Sequence, residues 1–97
     1  VSGARRFAPQ GALTMANAAG CLAEGRAAAQ EGDLVVDFSQ VREADSAALA
    51  LLFDWQRVAA AAGHDLRVGG LPPGLESLAA LYGVAELLPR DEAAVST

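Results

Sequence analysis

Asp45, Ser46 and His64 are the side chains that could perform acyl transfer, with Ser46 as the nucleophile such a trio would use. No serine in the chain lies in the Gly-x-Ser-x-Gly setting that presents a nucleophile on a strained turn. His64 is the only histidine and sits in Gly63-His64-Asp65, where it supports a bend more readily than it moves protons. A transition-metal site would rest on that histidine, the single Cys21 and scattered carboxylates, without a His-Glu-x-x-His pattern. Gly69-Gly70-Leu71-Pro72-Pro73-Gly74 is glycine-rich, yet it lacks the Lys-Ser/Thr of a phosphate-cradling loop and reads as a connector. Glu43 and Asp45 are a carboxylate pair on an acidic chain, and nothing in the sequence makes them converge on a pocket. Enzymatic chemistry is therefore disfavoured, and no metal or other cofactor is expected.

What holds these residues is one small globular core. The 97 residues are 53% hydrophobic and 20% charged, a composition that buries apolar surface rather than staying unfolded, and too short to divide into two stable cores. A single domain is expected over 1–89, followed by a polar, aperiodic, frayed tail over 90–97. The net charge of −5 repels phosphate backbones and anionic headgroups, so neither nucleic acid nor a membrane surface is an expected partner. No apolar run reaches the roughly 18 residues of a membrane span, and no export-type leader is visible, so a cytoplasmic location is expected. Cys21, alone, cannot form an internal disulfide and reads as a small filler.

Hydrophobic patterning gives alternating strands and helices. Arg5 to Ala8 is a short strand candidate, returned by Pro9-Gln10-Gly11 into Ala12-Leu13. Thr14 is placed to cap an alanine-rich helix from Met15 to Gln30, weakened by Gly20 and Gly25. Leu34-Val35-Val36-Asp37-Phe38 reads as a strand buried on both faces. Ser39 to Ala44 carries no assigned element. Asp45-Ser46 then opens a helix over Ala47–Ala62, stopped by Gly63. Leu66 to Gly69 is a further strand, Leu75 to Tyr82 a third helix ended by Gly83, and Val84 to Leu88 a final short element. Such alternation favours an α/β layer fold in which helices flank a small sheet.

The central helix carries two apolar stripes. At about 100° per residue, Leu49, Leu52, Phe53, Gln56 and Ala60 share one side, and Ala47, Leu51, Trp55, Val58 and Ala62 another. The second stripe either lies under another helix or is open to a different polypeptide, including a second copy of this chain. Trp55 is accordingly either a core residue or an interface anchor. Asp45 and Ser46 also have two readings: caps for unsatisfied amides, or a polar docking point at a helix N-terminus.

The segment Asp33–Pro89 resembles the STAS domain shared by sulfate transporters and anti-sigma factor antagonists. The resemblance rests on Val35-Val36-Asp37-Phe38-Ser39, on Asp45-Ser46-Ala47-Ala48-Leu49, and on the LxxLAxLYGV run from Leu75 to Val84; Gly11-Ala12-Leu13-Thr14 is similar to the family's Gly-x-Leu-Thr turn. It implies a STAS-like fold, a small mixed β-sheet flanked by α-helices. Within the family, LALLFDWQRVAAAAGH and AALYGVAELLP resemble most the cytoplasmic STAS subunit of the Mla phospholipid-trafficking ABC transporter, which maintains outer-membrane lipid asymmetry in bacteria.

That resemblance implies a non-enzymatic accessory subunit, cytoplasmic and held at the inner membrane through the transporter's ATPase subunit. The residues it nominates for contact are Asp45, Ser46, Ala47, Leu51, Trp55 and Val58, with Ser46 supplying the hydroxyl set against the ATPase. Replacing Trp55 by alanine is then expected to weaken the complex while leaving the domain folded. Anti-sigma antagonists carry Asp-Ser-Ser-Gly and are phosphorylated on the second serine, a position held here by Ala47. The resemblance thus implies no phosphorylation, unless Ser46 has taken that role in a partner-switching pathway. A nucleotide-binding STAS module is a third reading, for which Gly69 to Gly74 is the sole pointer.

Overall fold

Leu34, Val36 and Phe38 alternate with half-covered Val35 and Asp37, so the strand that sets the sheet is fully buried on one face only. The computed structural model describes residues 5–89; the tail expected over 90–97 lies outside the described residues. The elements in chain order are β1 (Arg5–Phe7), β2 (Gly11–Leu13), α1 (Ala18–Glu31), β3 (Leu34–Asp37), β4 (Val41–Ala44), α2 (Ser46–Ala61), β5 (Leu66–Gly69) and α3 (Pro73–Leu81). A single 3-10 turn follows at Ala85–Leu87.

β3 runs between β1 and β5 in a three-stranded sheet, and β2 pairs with β4 in a separate two-stranded one. Each of these pairings is parallel, so the antiparallel component that a mixed sheet implies does not occur among the described strands. Parallel neighbours need crossovers, and α1 and α2 supply them on the way from β1 to β3 and from β3 to β5. The register sets Phe7, Val36 and Val68 in one row, and Arg6, Val35 and Arg67 in the next. Side chains alternate across a sheet, so the first row faces the core and the second faces outward. On the outer rim of β5, the Val68 amide donates to the Pro89 carbonyl at 2.7 Å.

Two elements differ from the sequence expectation. The alanine-rich helix begins at Ala18 rather than Met15, because the Asn17 amide closes a turn on the Thr14 carbonyl at 2.9 Å and no side chain caps the helix start. β4 lies in the stretch left without an element, and it forms because Glu43 and Ala44 register with Ala12 and Leu13 of β2. The other boundaries fall close to expectation: β5 spans Leu66–Gly69, and α2 starts at Ser46 and ends at Ala61. Gly63 and Gly83 take φ of 79° and 71° just past α2 and α3, the left-handed geometry that ends helices.

Asp45 caps α2 and does more than cap it. Its Oδ1 accepts from the Ala47 amide at 2.8 Å, and its Oδ2 accepts from the Met15 amide at 3.3 Å, tying the start of α2 to the segment that leads into α1. Asp45→Ala leaves both amides without this acceptor and is expected to destabilise the domain by about 1–2 kcal/mol, read as a lower urea midpoint.

Candidate protein-docking site

The second stripe of α2 lies under α1. Trp55 is 0% exposed: its indole Nε1 donates to the Leu22 carbonyl of α1 at 3.1 Å, and Phe7 meets the ring edge-on with centroids 5.5 Å apart. Gly25 of α1 packs flat on the indole, where a Cβ would overlap Cε2, Nε1 and Cζ2. Leu51 and Ala47 are also buried, and Val58 is half-buried against the same core. Trp55, expected as a contact residue, is thus out of reach of a partner in this structure, and Leu51 and Ala47 keep only a few per cent of their surface. The apolar surplus of α2 is consumed inside the domain, because α1 is made of residues small enough to approach it closely.

Ser46 is exposed at the first position of α2, and Asp45 beside it is committed to its two amide bonds. Ala47, where the resemblance to anti-sigma antagonists would place a phosphoserine, carries no hydroxyl and is buried. What the sequence reading missed is a third stripe: Ser46, Ala50, Phe53 and Arg57 recur at intervals of three and four and follow one side of α2. Met15, Ala18, Leu22 and Arg26 keep the same spacing on the α1 side. Between the two stripes lies an open groove, with Ala47 and Leu51 contributing to its wall. Met15 is 79% exposed at its mouth, and Phe53, Ala18 and Leu22 are half-covered.

The charged side chains that line this groove lie together at its far end, while the Asp45 carboxylate sits beside its near end on the Met15 and Ala47 amides. Arg26 clamps Asp54 with Nε to Oδ2 at 2.7 Å and Nη2 to Oδ1 at 2.8 Å, and Arg57 Nη2 reaches the same Oδ1 at 2.8 Å. The Arg26 hydrogen bonds hold the Asp54 carboxyl below the usual carboxylate range, with the charges of Arg26 and Arg57 adding to the effect against burial.

The trio considered for catalysis does not assemble. Ser46 and His64 flank opposite ends of a 16-residue helix, about 24 Å apart along its axis. His64 instead lies near Asp33, with Nδ1 4.0 Å from Oδ1, and its amide donates to the Ala59 carbonyl. The Gly69–Gly74 stretch connects β5 to α3. Gly70, at φ 67°, passes so close to Asp37 that a Cβ would sit 2.9 Å from Oδ1 and from the Ser39 amide nitrogen. Burial raises the Asp37 pKa, but the Ser39 hydrogen bonds and Arg6 outweigh it and keep the group low, which sets an anion beside that loop. Cys21 is half-buried, and burial, then Glu24, pushes its thiol pKa up, away from a reactive thiolate. Among the described residues no three His, Cys, Asp or Glu side chains gather as metal ligands, and no helix is long and apolar enough to cross a membrane.

A family model described as "Mlab, STAS domain" matches residues 7–89. Among solved structures, the chain is similar to the anti-sigma factor antagonist SpoIIAA in its unphosphorylated form, with a TM-score of 0.69 and 13% sequence identity. That match covers 89% of this chain and 77% of the other, and at such identity it speaks for the fold. No curated protein sequence matches the chain.

Proposed function

We propose that this chain, which belongs to the STAS domain family, is the accessory subunit of a phospholipid-trafficking ABC transporter and acts by docking on its ATPase subunit. As a STAS domain it is a non-enzymatic binding and regulatory module that works through protein–protein contact. The observation that carries the finer reading is an open, mostly apolar groove between α1 and α2 whose α2 wall begins at Ala47, next to the exposed Ser46 that starts the helix. A hydroxyl beside exposed apolar surface suits a protein contact that needs both a polar register point and buried area. The covered Trp55 face leaves this groove side of α2 for the partner. On this reading the chain works in the cytoplasm, at the inner membrane only through its partner, and steadies the assembled ATPase without covalent chemistry.

Ser46→Arg places a long cation at the exposed start of α2, next to the groove residue Ala47, without touching the core. The variant is expected to keep the wild-type thermal transition and to lose at least tenfold in affinity for the purified ATPase subunit, measured by titration calorimetry. Unchanged affinity in a folded variant would defeat the assignment. The fold shared with SpoIIAA and the exposed Ser46 also support a second reading, an anti-sigma factor antagonist. Incubation with an anti-sigma kinase and ATP separates the two, since stoichiometric phosphate on Ser46 would favour the antagonist. The buried Ala47, where the resemblance to anti-sigma antagonists would place a phosphoserine, favours the transporter.

A further inference from the structure

The α1–α2 groove is apolar along most of its length and cationic at one end, and this polarity constrains what can lie in it. Two guanidinium groups share one carboxylate, so the Arg26–Asp54–Arg57 cluster has one positive charge in excess, in a chain whose net charge is −5. The anion lies lowest: the Asp54 side chain is 12% exposed, whereas those of Arg26 and Arg57 are 48% and 76% exposed. Arg57 uses one of its donors on Asp54 and Arg26 uses two, which leaves outward-facing donors on both. A cation that only closed a structural pair would not need a second one beside it.

Length and direction add to the constraint. Met15 and Ala47 lie at one end of the groove and Arg26 and Arg57 at the other, so its two walls run the same way along α1 and α2. From Ala47 to Arg57 the wall is about 15 Å long, close to three helical turns. A channel of that length between two aligned helices accommodates a third helix, its apolar side chains recurring every three or four residues.

We infer that the groove receives an acidic amphipathic helix of the partner protein, with its apolar face against Met15, Leu22 and Phe53 and a carboxylate at the Arg57–Arg26 end. The inference rests on the docking role proposed above and specifies the chemistry of the docked segment. The excess charge steers a carboxylate-bearing segment toward that end and fixes its register, and the apolar remainder supplies the buried area. A bidentate Arg–carboxylate contact also sets the rotation of the helix in the groove.

The test measures affinity of the full chain for the purified ATPase subunit at several salt concentrations, with Arg57→Glu, Arg57→Gln and Ser46→Arg compared with wild type. Arg57 is mostly exposed, and each variant is first required to show the wild-type thermal transition. The expected result is a loss of tenfold or more in affinity for Arg57→Glu, a smaller loss for Arg57→Gln, and a flatter salt dependence for Arg57→Gln than for wild type. Exchanging one carboxylate of the ATPase for lysine is expected to restore binding to Arg57→Glu. If Ser46→Arg abolishes binding while Arg57→Glu binds as wild type with the same salt dependence, the acidic helix is wrong and the docking role stands. If wild type does not bind, or folded Ser46→Arg binds as wild type, the docking role and the inference resting on it are both overturned.

Discussion

Trp55→Ala is expected to lower the unfolding free energy by about 3–5 kcal/mol, measured by urea denaturation. For a domain of this size that approaches the whole of its stability, so the variant should be largely unfolded at 37 °C. The magnitude follows from what the indole touches. It is fully buried between α1 and α2, donates to the Leu22 carbonyl, and meets Phe7 edge-on, so truncation opens a cavity where two helices and β1 converge. Trp55→Phe keeps most of the volume and loses the hydrogen bond, and is expected to lose roughly 1–2 kcal/mol. A folded Trp55→Ala variant that had lost only its partner would restore the interface-anchor reading of this residue and contradict its packing.

Gly25→Ala is the second large effect, and its sign separates two forces. In an exposed helix interior the change would stabilise by about 1 kcal/mol, because alanine loses less backbone freedom than glycine on folding. Here the new methyl would overlap three atoms of the Trp55 ring, which is pinned by its own hydrogen bond and cannot swing away. Overpacking of a rigid core site costs about 1–3 kcal/mol or more, so the steric term wins and a net loss of about 2 kcal/mol is expected. Calorimetry on Gly25→Ala, and on the same change combined with Trp55→Phe, checks this: the smaller ring should recover part of the loss, a non-additivity that contact predicts. A raised melting temperature for Gly25→Ala would mean that α1 stands off from the indole.

The same contact explains what was legible in the sequence and what was not. Strand β5 and helix α2 could be read almost to the residue, since Leu66-Arg67-Val68-Gly69 is a short apolar run between turns and Asp45-Ser46 opens a helix that Gly63 closes. The resemblance to STAS domains, carried by the β3 strand, the start of α2 and the Leu75–Val84 run, named the fold family that the match over residues 7–89 supports. β4 was not legible, because Val41-Arg42-Glu43-Ala44 has a polar middle and becomes a strand only through its pairing with β2. The covering of Trp55 was not legible because periodicity reports that a stripe is apolar and is silent on whether the cover comes from the same chain. A signal did exist. A glycine within an alanine-rich helix marks close approach by a neighbour, and Gly25 with the buried Ala29 pointed to α1 as that neighbour.

The bond from the Val68 amide to the Pro89 carbonyl also governs how far the sheet can grow. An outermost strand with unmet amides invites a strand from a second molecule, the first step toward fibrils. Here the outward amide at Val68 is already engaged, and the residue engaging it is an imino acid with no hydrogen of its own to pass the ladder on. Pro89 thus blocks pairing at Val68 on that side of the protein, and a polypeptide shortened to end before it is expected to leave that amide open to another molecule.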